Sequence, residues 1–202
     1  MKRDERILEA AERLFFERSF DGVAVDEIGR AAGVSGSAIY SYFSSKDEIL
    51  SALFGRALDS LLRHLGEPEA DAWDELHKIV RAFAELTSVS EGLASIWVRE
   101  QRSLAGTYRR EHDRRLRYIT ERWAMCLDRC YPGRTADEIM TVTRALQLLL
   151  MSQALRPPSA RRARDSEDLL VQMALASLAP LGQPAAKASN ASSNAAAASS
   201  MG

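Results

Sequence analysis

Apolar residues recur along this chain at helical spacing almost from one end to the other. Between Arg3 and Ser19, Ile7, Ala11, Leu14 and Phe15 fall at i, i+4, i+7 and i+8, with acids and arginines on the other side, which predicts an amphipathic helix. Val25, Ile28 and Ala32 mark one face of a second helix, and Val34, Ala38, Ile39 and Phe43 one face of a third, with a tight turn at Gly33-Val34 between them. Ser45-Lys-Asp-Glu48 has the form of a capping box, in which the Ser45 hydroxyl and the Glu48 carboxylate each satisfy a backbone N–H. It opens a long helix that runs through Leu53, Phe54, Leu58 and Leu61 to about Leu65 and is stopped by Gly66-Glu67-Pro68. Further helices are predicted at about 71–88, 91–104, 107–131, 136–156 and 166–180. Thr135-Ala-Asp-Glu138 is a second capping box, and Pro132-Gly133 and Pro157-Pro158 are breaks. No alternating segment is long enough for a strand, so the pattern predicts an all-α chain of about nine helices. From Gly182 onward an Ala, Ser and Asn tail lacks the large apolar residues needed to fold alone.

The stretch from Val25 to Lys46 carries the chemistry. Ser35 is placed to cap the third helix, because its hydroxyl can accept from an orphan N–H of the first turn. The outer face of that helix offers Gly36, Ser37, Tyr40 and Ser41, small or hydroxylated groups that allow close approach to something polar. Two short helices joined by a Gly-containing turn, the second with such a face, form the layout of a DNA-reading helix-turn-helix.

The run Asp21–Leu50 resembles the N-terminal DNA-binding domain of the TetR family of transcriptional regulators. The match lies at Val25, Asp26, Ile28 and Ala32, at the turn Gly33-Val34-Ser35, and at Ile39-Tyr40, Tyr42-Phe43 and Lys46. The chain departs from the family in having Val23 and Ala24 where hydroxyl residues are common, and Gly29 should weaken its helix by about 1 kcal/mol. The resemblance implies a three-helix DNA-binding domain over residues 1–46, a larger helical ligand-binding and dimerisation domain over 47–181, and a disordered tail over 182–202. It implies phosphate contacts from Tyr40, Tyr42 and Lys46. Ser35, Gly36, Ser37 and Ser41 would meet base edges or approach the backbone closely. The alternative for the two tyrosines is that they are ordinary aromatics of a small helical domain.

Charge does not by itself favour nucleic acid. The chain carries 27 Lys and Arg against 28 Asp and Glu, with a pI near 6.3. Residues 2–46 hold seven bases and eight acids, so the placement of charge must decide; Arg3, Arg6 and Lys46 are the candidates for the docking surface. No apolar run approaches the ~20 residues of a spanning helix, and a cytoplasmic protein is expected. Cys126 and Cys130, four apart on one predicted helix, read as small buried hydrophobes rather than a thiol sensor or half a metal site.

The family likeness implies that the middle helices bind a regulatory small molecule. Phe83, Trp97, Tyr118 and Trp123, with Gln101 and Arg122, are the candidate lining, core packing being the alternative for each aromatic. Between Arg99 and Arg122 eight arginines face four acids, which suggests an anionic effector such as an acyl-coenzyme A or a fatty acid; a solvated arginine-rich face is the alternative. Leu146, Leu149, Leu150 and Ala154 form one stripe, and the last helix is apolar over most of its girth. In the family this helix pair meets its copy in a four-helix bundle, so a homodimer is expected. No metal-ligand spacing, Gly-rich phosphate loop or Ser/His/acid set points to an enzyme or a cofactor. The sequence therefore implies a ligand-responsive regulator, a repressor by preference, with a constitutive DNA-binding protein as the alternative.

Overall fold

The computed structural model describes residues 2–89, 91–155 and 166–185. Nine α-helices lie among them and no strand: α1 (Arg3–Arg18), α2 (Val25–Ala32), α3 (Gly36–Ile39), α4 (Lys46–Leu65), α5 (Ala72–Val89), α6 (Glu91–Glu100), α7 (Gly106–Cys130), α8 (Ala136–Met151) and α9 (Ser166–Ala176). None of the described helices is long and apolar enough to cross a membrane. The break at Pro157-Pro158 and most of the Ala/Ser/Asn tail lie outside the described residues.

Three helices end earlier than their periodicity suggests. α6 stops at Glu100, whose carboxylate accepts from the Phe20 N–H (3.2 Å) and the Ser103 hydroxyl (3.3 Å), so that Gln101–Ser103 turn around that side chain. α8 gives way at Ser152 to a 3₁₀ turn, Ser152–Leu155, and the Ser152 hydroxyl donates to the Leu149 carbonyl (2.6 Å). α9 ends at Ala176, and Pro180, which has no N–H to donate, sits in a second 3₁₀ turn, Ala179–Leu181.

The described residues gather into two compact units. The first draws on Met1–Arg63, Leu86–Arg117 and Gln153–Leu155. Its centre is Ile7, Phe15, Ile28, Ile39, Ile49, Leu50 and Phe54, joined by Leu93 and Ile96 of α6 and by Leu104. The predicted face of α1 is the buried one. Arg99 closes the end of α1, donating to the carbonyls of Phe15 (2.8 Å) and Phe16 (3.2 Å) where Ser19 takes a positive φ of 63°. Beside this core, the rings of Phe54, Trp97 and His112 meet at 4.7–5.4 Å. Burial holds the His112 imidazole below its ordinary pKa, and its Nε2 has no hydrogen-bond partner among the described residues.

The second unit draws on His64–Glu85, Tyr118–Ser152 and the described part of Arg156–Gly202. Trp123 is fully buried in it, 4.5 Å from the Phe83 ring. Glu75, also buried, is neutralised by Arg129 (2.9 Å) and Arg122 (3.4 Å). Those arginines also donate to backbone carbonyls of the α4–α5 link: Arg122 to Leu65 and Gly66, Arg129 to Glu69 and Ala70. Cys126 and Cys130 are buried and free, both thiols donating to the Ala72 carbonyl. α8 and α9 pack together. The stripe expected to meet a second copy is mostly internal, since Leu146, Leu150 and Ala154 are buried. The open apolar positions lie elsewhere on these helices: Met140 and Leu148 on α8, Leu169 and Met173 on α9.

Gly33 carries the turn between α2 and α3 at φ 67°, in the left-handed region, and a Cβ there would meet the Arg6 guanidinium at 2.5 Å. Gly33→Ala is expected to lower the unfolding free energy by about 1–2 kcal/mol, read as a lower urea midpoint at unchanged slope.

Candidate nucleic-acid interface

α2 is preceded by Ala24 at its N-cap position, whose methyl side chain has no oxygen with which to cap. Glu27 compensates from inside the helix: its carboxylate accepts from the Ala24 N–H (2.9 Å) and pairs with Arg18 (2.9 Å). The Ala24 N–H first, and Arg18 second, hold the Glu27 carboxyl below its ordinary pKa. At the other end Val34 N–H reaches the Gly29 carbonyl (2.9 Å), and Arg6 donates to the Ala32 carbonyl. Arg6 is thus a cap for α2 rather than the docking residue its sequence position suggested.

α3 is a single turn. Ser35 caps it as expected, accepting from Ala38 N–H at 3.2 Å, and Ile39 is fully buried beneath it. Gly36 opens the helix, and turns carry the chain on through Ser41 and Tyr42 to Phe43. Ser35, Ser37 and Ser41 are exposed, as are Tyr40 at 54% and Tyr42 at 39%. The five hydroxyl residues of the predicted reading face therefore stand on the surface together.

The α4 capping box is shifted from its expected form. Glu48 N–H donates to the Ser45 hydroxyl (3.1 Å), but the Glu48 carboxylate accepts from the N–H and hydroxyl of Ser44 (2.7 and 2.6 Å), not from Ser45 N–H. One residue upstream offers two donors to a single oxygen, and the Ser44 hydroxyl is the larger cause holding the Glu48 carboxyl below its ordinary pKa. Lys46 also differs from its expected role. Its Nζ donates to the carbonyls of Phe20 (2.8 Å) and Val23 (3.0 Å) and lies 4.3 Å from the Phe20 ring centre. Two of its three N–H donors tie α4 to the α1–α2 connection, where the Phe20 carbonyl also accepts from the Val23 N–H (3.4 Å).

Arg3 is exposed at the start of α1, with no side-chain hydrogen bond or ion pair among the described residues. Sequence reasoning passed over Asp26 and Arg30. They lie four apart on α2, turned away from the buried Ile28 and Ala32, and with Val34, Ser35, Ser37 and Tyr40 they line an open groove of about 540 Å³. The i, i+4 spacing on the unburied side of α2 was the available signal.

The candidate ligand residues fall in both units: Trp97 and Gln101 in the first, Phe83, Tyr118, Arg122 and Trp123 in the second. Phe83 and Trp123 meet, and Trp123 Nε1 is buried with no hydrogen-bond partner among the described residues. Tyr118 is 56% exposed, so it walls no interior space. Arg122 is occupied by Glu75 and the end of α4. Of the eight arginines between 99 and 122, Arg99 and Arg122 cap helices, and Arg109, Arg114 and Arg115 pair with Asp113, Glu111 and Asp59. Arg102, Arg110 and Arg117 are exposed with no ion pair among the described residues. Those residues also hold no cluster of three His, Cys, Asp or Glu fit for a metal.

Residues 7–53 match the family model of bacterial regulatory proteins, tetR family. An uncharacterised HTH-type transcriptional regulator of Mycobacterium tuberculosis (strain H37Rv) is 34% identical over 76 residues, 38% of this chain and 38% of that protein. The HTH-type transcriptional activator FasR of Mycolicibacterium smegmatis is 36% identical over 89 residues, 41% of each chain. Both matches thus span well under half of the relatives' length. In fold the chain is similar to AibR, solved in complex with isovaleryl coenzyme A and operator DNA, with a TM-score of 0.74 at 16% identity, covering 86% of this chain and 96% of that one.

Lys46→Met should destabilise the protein by about 2 kcal/mol in urea unfolding, because it strips a charged donor from two carbonyls. A residue that only touched DNA would leave that midpoint unmoved.

Proposed function

We propose that the chain is a regulator of the TetR family, to whose model residues 7–53 match, and that it binds DNA as a transcriptional regulator whose hold on an operator changes when a small molecule binds. The observation that carries this reading is α3 with its cap and the turn after it, where Ser35, Ser37, Tyr40, Ser41 and Tyr42 are all exposed around a buried Ile39. Residues 1–46 read DNA, 47–181 take up the effector and dimerise, and 182–202 remain as a tail. α3 enters the major groove with Ser37 and Ser41 toward base edges and Gly36 allowing close approach. Tyr40 and Tyr42 donate their hydroxyls to phosphates, and Arg3 adds charge nearby.

One reading turn touches too little DNA to be specific at physiological salt, so the working form is a homodimer that spans two successive major grooves. The surface we assign to it is the open side of α8 and α9. Leu148 is 73% exposed, Leu169 56%, Met173 48% and Met140 38%, a concentration of large apolar groups that a second copy would cover. The effector we assign is anionic and lipid-like, an acyl-coenzyme A or a fatty acid. The support is the aromatic pair Phe83–Trp123 of the second unit with its unpartnered indole N–H, and the isovaleryl coenzyme A bound by AibR. Repression relieved by effector is the preferred sense; the same DNA contacts serve activation equally, and FasR is named an activator.

The test is fluorescence anisotropy with DNA flanking the protein's own gene, titrated with and without a panel of acyl-coenzyme A thioesters and fatty acids. Saturable, sequence-dependent binding that one acyl chain changes is expected. The pair Tyr40→Phe and Tyr42→Phe should weaken it about tenfold, from two lost hydrogen bonds of about 0.5–1.5 kcal/mol each. Binding indifferent to the panel would leave a constitutive DNA-binding protein, and absence of specific binding would sink the regulator reading. Leu148→Glu with Leu169→Glu should convert the dimer to a monomer in sedimentation velocity; a dimer that persists would place the interface elsewhere.

A further inference from the structure

We propose that Arg30 and Asp26 of α2 form a two-residue reader for one G·C base pair beside the footprint of α3. This rests on the DNA-binding reading above and goes beyond it by naming a base pair and the groups that select it.

Of the seven Lys and Arg between residues 2 and 46, three are spent inside the fold. Arg6 caps α2 at the Ala32 carbonyl, Arg18 pairs with Glu27, and Lys46 is held by the Phe20 and Val23 carbonyls. Lys2, Arg3, Arg13 and Arg30 remain. Only Arg30 lines the groove in front of α3, together with Ser35, Ser37 and Tyr40. It is exposed and forms no hydrogen bond or ion pair among the described residues. Among the described residues its five donors form no hydrogen bond, and the one interaction of its side chain is the weak long-range attraction of its charge for the Glu27 carboxylate.

Asp26 stands one helical turn before Arg30 and lines the same groove. It too has no hydrogen bond or ion pair among the described residues, whereas its neighbour Glu27 has both. A carboxylate in that position disfavours a phosphate in the groove, since like charges would be brought together. It suits a base pair that offers acceptors and a donor side by side. In the major groove a G·C pair presents N7 and O6 of guanine as acceptors and N4–H₂ of cytosine as a donor. Arg30 would donate in fork fashion to the guanine, and Asp26 would accept from the cytosine amine. Side chains at i and i+4 of a helix stand about 5–6 Å apart, close to the width of that edge. An A·T pair would place the adenine amine against the arginine, and the thymine O4, an acceptor, would stand where Asp26 needs a donor.

The experiment is selection of duplex DNA from a randomised library by the full-length protein and by its Arg30→Ala and Asp26→Asn variants. Binding of each enriched site is then measured from 50 to 300 mM salt. Both variants should fold as the parent does, because neither side chain bonds within the protein; urea midpoints check this. The expected result is a wild-type motif with a fixed G·C pair in each half-site. Arg30→Ala should keep the rest of the motif and lose preference at that pair about tenfold or more, with Asp26→Asn relaxing it in the same place. A uniform loss of affinity across sequences, with the salt slope reduced by about one, would make Arg30 a phosphate contact and overturn the proposal. Unchanged motif and affinity would overturn it as well. If the wild type enriches no motif, the DNA-binding reading itself falls and takes this one with it.

Discussion

A helix of one turn cannot hold itself in water, because closing that turn fixes several dihedral angles for a single hydrogen bond. α3 spans only Gly36–Ile39, so its position is imposed by its surroundings. Ile39 anchors it from below, Ser35 satisfies its first free N–H, and Gly33 supplies the left-handed turn that aims it. Each of those supports is itself supported. α2 is closed by Arg6 of α1, the end of α1 by Arg99 of α6, and the α1–α2 connection by Lys46 of α4 and Glu100 of α6. The first unit is a set of helix ends tied to one another by long side chains that bond the backbone groups of helix termini and connections.

The same economy explains where charge is found. In a head with one more acid than base, much of the cationic charge is internal fastening. What is left over is sparse, and its location is informative for that reason. The arginine-rich stretch from Arg99 to Arg122 follows the rule too, since most of its arginines pair locally or close a helix end. Only Arg102, Arg110 and Arg117 remain for a partner.

The helical elements were legible in the sequence because apolar spacing and caps carry them. The buried face of α1, the Ser35 cap and the Thr135–Glu138 box all follow from residue type and interval. What could not be read was the destination of long flexible side chains. Arg6 and Lys46 looked available and are committed, while Arg30 looked ordinary and is free. The same holds for the apolar stripes of α8. Spacing puts Leu146 and Leu150 on one stripe and Leu148 off it, but only the packing around α8 decides that this stripe is inside the chain rather than open to a second copy. Ends set by a carboxylate, as at Glu100, or by a neighbouring serine, as at Ser44, were likewise beyond a periodicity argument.

The division between committed and uncommitted side chains has a consequence for how such a protein changes over generations. Ser35 belongs to both sets, capping α3 while exposed, and Ser37 bonds to it, but Asp26 and Arg30 make no hydrogen bond or ion pair among the described residues with the groups that hold α3 in place. Substitutions at 26 and 30 can therefore drift without loosening the head. A duplicated gene could acquire a new target while its product stayed as stable as its parent, and selection on recognition would act almost unopposed by selection on folding.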